Sequence, residues 1–247
     1  MQNRLLVFEI VSKLQYKWYM IQRFFLFLVL LLIKVEDSNA RPPLGPERYE
    51  SLTGKSLQKD IKGQWDLLYG RSGFVYGKKP VKFLAENFHL IPDAGAILDV
   101  GMGEGRNAVF LAAKGYQVTG IDISSVALKK AEELAQENNV RIKAVLGDAK
   151  KYQLKPNSFD AVLCFYYVDR ELLPLLMNIL KPGGYLYYEA YTLDQKIKAG
   201  LKDDDDDYYL KSGELKDLLK VTGFKIIKYE EGVFGNEYRA SSIARKM

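Results

Sequence analysis

Cysteine and histidine are nearly missing from this chain, which has one of each, Cys164 and His89, among its 247 residues. A single cysteine excludes a disulfide framework within the chain, and the two residues are too few for a zinc site built from histidine and cysteine. The acidic run Asp203–Asp207 has no glycine between its carboxylates, so it lacks the pattern of a calcium-binding loop. We therefore expect no metal centre.

A basic stripe is also missing, although the formal net charge is +5. Residues 1–45 hold six of the 36 lysines and arginines and three of the 31 aspartates and glutamates, which leaves 30 basic against 28 acidic residues in the rest. Proteins that bind nucleic acid usually present a surplus of basic residues to the phosphate backbone. We therefore expect no nucleic-acid partner.

Residues 1–45 form a hydrophobic segment followed by a proline-rich linker. The apolar run 24–33 follows Arg23 and has the length of a signal-peptide core, with small residues up to Ala40 at the position of a cleavage site. Extended to residues 20–33, the run is a marginal membrane anchor. The predicted organisation is therefore a signal-like or anchor-like segment over residues 1–45 and one folded domain over residues 46–247.

The folded domain alternates helical patterns with short apolar strands. Strands are expected at 96–100, 117–121, 141–146, 159–166, 185–191, 224–229 and 238–244. Helices are expected at 57–68, 79–88, 106–114, 125–138, 170–180 and 213–221. Strands separated by helices indicate right-handed crossovers and a parallel sheet, and a loop over 230–237 would join the last two strands as a hairpin. This predicts an α/β fold with a seven-stranded sheet, mostly parallel with an antiparallel last strand, and helices on both faces.

The segment from Asp99 to Asn107, Asp-Val-Gly-Met-Gly-Glu-Gly-Arg-Asn, lies where the first strand meets a helix. Glycine tolerates positive φ and lets the backbone approach a ligand closely, and the helix start offers unpaired N–H groups. A dinucleotide fingerprint, G-x-G-x-x-G, would need glycine at Arg106. The spacing therefore favours a nucleotide-like cofactor other than NAD, bound by Asp99, Gly101, Gly103, Gly105 and Arg106.

The same segment resembles the first motif of class I S-adenosyl-L-methionine-dependent methyltransferases, in which this loop holds the methionine half of the cofactor. The resemblance implies that S-adenosyl-L-methionine is bound, that the sheet is Rossmann-like, and that acidic residues follow the second and third strands. Asp122 stands at the first of these positions and is suited to the ribose hydroxyls. Asp148 stands at the second, within Gly147-Asp148-Ala149, and matches the residue that contacts the adenine amino group. A helix cap at Asp122 and a plain turn at Asp148 are the alternatives.

Residues beside these positions complete the predicted cofactor site. Ile123 follows Asp122 and Ala149 follows Asp148, so both are expected against the ribose and adenine, although Ile123 also suits a core position. The backbone at Arg106 and Asn107 is expected near the carboxylate of the cofactor, because a helix start favours negative charge.

Acceptor-side residues are expected before the first strand and after the fourth. Tyr69, Tyr76 and Tyr166 supply aromatic rings that exclude water and attract a sulfonium cation, while Arg170 suits an anionic acceptor. Each aromatic residue has core packing as its alternative, and Arg170 a solvent-facing helix start. The buried apolar setting expected of Cys164 and the distance of His89 from the motif leave no catalytic side chain assigned.

Three segments, 65–77, 103–112 and 165–170, resemble the tellurite-resistance family of small-molecule methyltransferases. The resemblance implies a small-molecule acceptor, with a thiol or a chalcogen oxyanion suggested by the shortage of general bases. A protein or quinone-like acceptor, a SAM-binding module without turnover, and a nicotinamide-dependent oxidoreductase remain as alternatives. Because S-adenosyl-L-methionine is made in the cytosol, the domain is expected in the cytoplasm or on the cytoplasmic side of a membrane, with export after cleavage near Ala40 as the alternative.

Overall fold

The structure is a computed structural model that describes residues 60–201 and 206–247. The predicted hydrophobic segment, the domain boundary at residue 45 and most of the acidic run Asp203–Asp207 lie outside these residues and stay predictions. No helix in the described residues combines the length and apolar character that crossing a membrane requires.

The strands are β1 Ala96–Val100, β2 Gln117–Asp122, β3 Lys143–Leu146, β4 Phe159–Phe165, β5 Leu180–Tyr191, β6 Lys225–Phe234 and β7 Glu237–Arg245. The α-helices of the described residues are α1 Ile61–Tyr69, α2 Lys82–Asn87, α3 Arg106–Ala113, α4 Ser125–Glu137, α5 Leu173–Ile179, α6 Leu193–Ala199 and α7 Glu214–Thr222. Short 3₁₀ turns lie at Phe88–Leu90, Arg170–Leu172 and Asp206–Tyr208.

The strands form one sheet in the order β3-β2-β1-β4-β5-β7-β6. Neighbours from β3 to β5 are parallel, whereas β7 is antiparallel to both β5 and β6. The chain leaves β1 towards β2 on one side and returns on the other side as β4, so the strand order reverses between β1 and β4. The predicted fold class is confirmed, and this reversal is the place where α/β sheets of this kind bind ligands.

Alternating side chains of the strands build two apolar layers, one on each face of the sheet. Leu98 and Leu186 point into the layer that contains α5 and α7. Ile97 and Tyr187 point into the opposite layer, together with residues of α2 and α3. Strands buried on both faces explain why the sequence shows nearly continuous apolar runs at these positions.

The terminal hairpin is longer than the pattern predicts. Its strands extend to Phe234 and begin again at Glu237, which replaces the expected loop 230–237 by a two-residue turn at Gly235-Asn236. Gly235 has φ of 65°, the left-handed conformation that such tight hairpin turns require. The sequence did not predict the end of β6, because this strand is partly exposed and contains the polar residues Glu230 and Glu231.

Two further segments differ from the prediction. Helix α6 was not predicted, because Leu193–Ala199 has no buried residue and therefore no apolar periodicity. The helix expected over 170–180 is instead a 3₁₀ turn followed by α5, in which Pro174 occupies the first turn. Both differences lie in segments that follow β4 and β5.

Gly105 is required by packing. It precedes α3 with φ of 84°, and a Cβ placed there would lie 2.7 Å from the Cβ of Ala131 in α4. Helices α3 and α4 can therefore approach each other only because residue 105 has no side chain.

A pair of alanine substitutions separates this packing from the backbone conformation. Gly105→Ala and Gly115→Ala both place alanine at positive φ, which costs about 1–2 kcal/mol. Gly115 has φ of 91° and no atom within 4 Å of an added Cβ. Gly105→Ala should therefore lose a further ~1–3 kcal/mol from overpacking against Ala131, measured by urea unfolding. Equal losses in the two variants would show that the α3–α4 contact yields easily.

Candidate functional site

A cavity of about 860 Å³ lies at the carboxyl ends of β1, β2 and β4, beside the strand reversal. Small-molecule sites usually measure roughly 300–1,000 Å³, so this cavity has room for a cofactor and a small second molecule. The predicted residues that line it are Asp99, Gly101, Gly103, Arg106, Asp122, Ile123, Asp148, Ala149, Tyr69, Tyr76 and Tyr166. Gly105 and Arg170 are not among the lining residues.

The glycine loop is fastened to the end of β2 by backbone hydrogen bonds. The amides of Gly101 and Met102 donate to the carbonyl of Ile121, at 2.9 and 3.2 Å. The amide of Gly103 donates to Oδ2 of Asp122 at 2.8 Å, and the amide of Ser124 donates to Oδ1 of the same carboxylate at 2.8 Å. Burial raises the pKa of Asp122, while these donors act in the opposite direction. Asp122 thus shapes the loop and lines the cavity at once.

Asp99 is the most unusual carboxyl group of the cavity wall. It is 1% exposed, and burial raises its pKa to about 7. Its Oδ2 atom has no hydrogen-bond partner within the described part of the chain. A buried oxygen without a donor is costly, so this atom fits a ligand that brings an N–H group into the cavity.

An aromatic cover lies over the glycine loop. Trp65 stacks on Tyr69 with ring centroids 5.6 Å apart, and Tyr69 meets Tyr76 edge to face at 6.2 Å. A Cβ at Gly103 would lie 2.9 Å from the hydroxyl of Tyr69. The cover therefore touches the loop so closely that only glycine fits at position 103.

Polar contacts hold this cover in place. Nζ of Lys130 bonds to the carbonyls of Arg71 and Gly73, at 2.8 and 2.6 Å, and pairs with the buried carboxylate of Glu104 at 3.0 Å. On the other side, Oγ of Ser124 donates to Asp66 at 2.6 Å. The segment that follows α1 is thereby tied to both α4 and the glycine loop.

A polar network lies beside the opposite end of the cavity. Tyr166, directly after β4, has φ of 57°, and its hydroxyl donates to Oε1 of Glu189 in β5 at 2.7 Å. Ser241 donates to Oε2 of Glu189 at 2.6 Å, and Nε of Arg239 lies 3.4 Å from that oxygen. Tyr191, which also lines the cavity, donates to Glu237 at 2.9 Å. Sequence reasoning missed Glu189, although one carboxylate inside the apolar run Tyr185–Tyr191 was a usable signal.

Arg106 lies between the two ends of the cavity. Its Nη1 donates to the carbonyl of Tyr76 at 3.1 Å, and its guanidinium lies 6.0 and 5.7 Å from the ring centroids of Tyr76 and Tyr166. The cation is therefore held by aromatic faces at the start of α3.

Three other residues that the sequence singled out do not line the cavity. Arg170 bonds to Glu214 at 2.6 Å and to the carbonyl of Tyr209 at 2.9 Å, so its cation joins the 3₁₀ turn to α7. Cys164 is buried, and burial raises the pKa of its thiol. His89 lies in the 3₁₀ turn after α2 and does not line the cavity.

Comparisons with known proteins agree with this geometry. A family model described as a methyltransferase domain matches residues 97–184, which include the glycine loop. The ubiquinone biosynthesis O-methyltransferase of Albidiferax ferrireducens is 32% identical over 149 residues, covering 57% of this chain and 58% of the relative. The chain spans less than two thirds of the length of the first curated relatives that it matches.

Two solved structures share the fold. A SAM-dependent methyltransferase of Methanosarcina mazei matches with a TM-score of 0.55 and 22% identity, over 68% of this chain and 99% of that one. Phosphoethanolamine N-methyltransferase 2 of Haemonchus contortus, in complex with S-adenosyl-L-methionine, matches with a TM-score of 0.57 and 22% identity, over 74% of this chain and 56% of that one.

The raised pKa of Asp99 predicts a pH dependence of stability. Because the folded-state pKa, about 7, lies above the ordinary value of 3.8, the folded protein holds a proton that the unfolded chain releases. The wild type should therefore lose stability relative to Asp99→Asn as the pH rises from about 5 to about 8, by roughly 2–3 kcal/mol in urea unfolding. The exposed Asp93→Asn serves as the control and should show no such trend. A constant difference between wild type and Asp99→Asn would contradict the assignment.

Proposed function

We propose that this chain carries a class I methyltransferase domain that depends on S-adenosyl-L-methionine, and that it transfers the methyl group of this cofactor to a small-molecule acceptor. The observation that carries the proposal is the pair of buried carboxyl groups, Asp99 and Asp122, on either side of the glycine loop. Among the described residues, Oδ2 of Asp99 has no hydrogen-bond partner, and Asp122 lies at the end of β2 with lone pairs that its two backbone donors leave available.

Different residues of the cavity would contact different parts of the cofactor. When bound, S-adenosyl-L-methionine supplies a methyl group that its positive sulfonium makes electrophilic. Oδ2 of Asp99 would accept from the ammonium group, Asp122 would accept from the ribose hydroxyls, and Asp148 would accept from the adenine amino group. The aromatic cover formed by Trp65, Tyr69 and Tyr76 would exclude water from the reacting atoms.

Different observations support two classes of acceptor. The resemblance of residues 103–112 and 165–170 to the tellurite-resistance family supports a thiol or a chalcogen oxyanion, which needs no general base. The Tyr166–Glu189 hydrogen bond at the cavity wall supports an acceptor that must lose a proton, such as a hydroxyl. Ubiquinone biosynthesis O-methyltransferases are among the relatives. Arg170, which the sequence predicted to hold an anionic acceptor, instead forms an ion pair with Glu214.

Methyl transfer to a panel of acceptors tests the proposal. The full-length protein is incubated with S-adenosyl-L-methionine and with thiols, selenite, substituted phenols and alcohols, and methylated products are identified by mass spectrometry. Transfer to any panel member supports the proposal. Binding of the cofactor by calorimetry without transfer to any acceptor would favour a binding module, and binding of NAD instead would point to an oxidoreductase.

Removing the carboxylate at the end of β2 should weaken cofactor binding. Asp122→Asn keeps the size of the side chain but loses its charge and one of the two oxygens that accept from the amides of Gly103 and Ser124. The affinity for S-adenosyl-L-methionine should therefore fall by about 1.5–3 kcal/mol in calorimetry. The exposed Asp93→Asn is the matched control and should bind as the wild type does. Circular dichroism checks that both variants are folded. An unchanged affinity in Asp122→Asn would remove this residue from the cofactor site.

We also propose that the domain works on the cytoplasmic side, free or attached through residues 20–33, because its cofactor is made in the cytosol. Fractionation of the native host should place the protein in the cytosol or on the inner face of its membrane. N-terminal sequencing should then find residues before Ala40. A mature chain that begins just after Ala40 in an exported fraction would contradict this location.

A further inference from the structure

One buried carboxylate has no part in holding the cofactor. Glu189 lies in β5 between β4 and β7 and has no exposed surface. A carboxylate in that position loses its hydration, so it persists only where donors replace the water. Its donors are the hydroxyls of Tyr166 and Ser241, and its nearest cation is Arg239, which Glu237 shares at 2.9 Å. Two carboxylates thus face one arginine.

Tyr166 joins this buried carboxylate to the cavity. Its ring lines the cavity, and its hydroxyl gives its only proton to Oε1 of Glu189 at 2.7 Å. A phenol oxygen that donates its proton still has lone pairs that can accept one from another molecule. The backbone is fixed at the same place, because Tyr166 has a strained φ of 57° and its amide donates to the Glu189 carbonyl at 2.7 Å.

We propose that Tyr166, hydrogen-bonded to Glu189, takes the proton from the acceptor, and that the acceptor is therefore an uncharged hydroxyl compound. This inference rests on the proposed methyltransferase function and specifies its acceptor. Tyr166 is the residue that touches the acceptor, whereas Glu189 acts through it as a positioning residue and holds the proton until the products leave.

The step balances in atoms and charge. The acceptor oxygen forms a bond to the methyl carbon while the carbon–sulfur bond breaks and its electron pair stays on sulfur. The proton of the acceptor passes to Oη of Tyr166, and the proton that Tyr166 held passes to Oε1 of Glu189. The products are a methyl ether, S-adenosylhomocysteine and a protonated Glu189, which returns its proton to solvent when the products leave.

The charges around Glu189 favour this role. Burial raises its pKa, while Arg239 and the hydroxyls of Ser241 and Tyr166 act in the opposite direction, and the carboxylate of Glu237 raises it further. Burial also raises the pKa of Tyr166, and Glu189 and Glu237 raise it too, against Arg106. The phenol therefore stays protonated on its own, and the carboxylate behind it is a stronger base than one in water.

A matched pair of variants tests the relay. The relay variants, Tyr166→Phe and Glu189→Gln, each remove one member of the relay. The control variants, Tyr229→Phe and Glu231→Gln, each remove one member of another tyrosine–glutamate hydrogen bond, which lies on β6 outside this cavity. The acceptors are 4-methylphenol, which is neutral near pH 8, and 4-nitrophenol, which is already ionised there. The relay variants should lower kcat on 4-methylphenol by about 100-fold or more and on 4-nitrophenol by less than about 5-fold. Both control variants should keep wild-type rates.

Ionisation of a bound acceptor gives a second readout that does not depend on turnover. The absorbance of 4-nitrophenol reports its phenolate in the complex with S-adenosylhomocysteine, and titration should give a lower apparent pKa in wild type than in Glu189→Gln. Calorimetry should find that both relay variants bind S-adenosyl-L-methionine within about 2-fold of the wild-type Kd. In wild type alone, the apparent pKa of bound 4-nitrophenol should also lie below that of the free phenol, so the proposal stays testable if a relay variant does not fold.

The outcomes separate the two proposals. A wild type that fails to bind S-adenosyl-L-methionine overturns the proposed function itself. A wild type that binds the cofactor and methylates only thiols or selenite, or no panel member, overturns the relay while leaving cofactor binding in place. Equal losses on neutral and ionised phenols, or none on either, also overturn it, because a merely structural role would not depend on the acidity of the acceptor.

Discussion

The hydrogen bond from the Gly103 amide to the Asp122 carboxylate is the contact on which the shape of the cavity depends. It joins the loop after β1 to the end of β2 at 2.8 Å, and it is supported by the bonds from Gly101 and Met102 to Ile121. Hydrogen bonds within the protein thus fix the loop, which lowers the cost of ordering on binding. The absence of a side chain at Gly103 also lets Tyr69 of the cover reach the loop. Loop, strand and cover therefore depend on one another.

Local patterns were sufficient to predict the sheet and the part of the site that lies at strand ends. Strands buried on both faces leave continuous apolar runs, and a polar residue directly after such a run has to lie at the carboxyl edge of a parallel sheet. Asp122 and Asp148 are placed by that rule alone. Gly105 shows its limit, because a glycine in the motif was expected near the ligand and is instead required by the contact with Ala131 in α4.

Long-range pairing is what local patterns could not provide. Arg170 follows the fourth strand closely enough to be expected at the cavity, yet its partner Glu214 stands 44 residues further on in α7. Glu189 is the opposite case, because its position inside an apolar run marked it as buried but not as part of a site. Only the fold brings Ser241 and Arg239 of β7 beside it and the hydroxyl of Tyr166 in front of it. The fold thus adds Glu189 to the candidate bases, while the thiol or chalcogen acceptor stays a prediction.

The buried carboxylate behind Tyr166 also bears on the charge balance of a closed cavity. Methyl transfer from a sulfonium to a neutral hydroxyl compound turns one cation and one neutral molecule into two neutral molecules and a proton. In a water-excluded cavity, a proton left without a partner is costly, since charges interact strongly at low dielectric. Glu189 is positioned to take up this charge. Glu189, Glu237 and Arg239 together carry two negative charges and one positive charge, so protonation of Glu189 makes the group neutral.

An acceptor that arrives as an anion needs no such group, since sulfonium and anion neutralise each other directly. The buried surplus of negative charge around Glu189 is thus an argument for a neutral acceptor, independent of the hydrogen bond that first pointed to it.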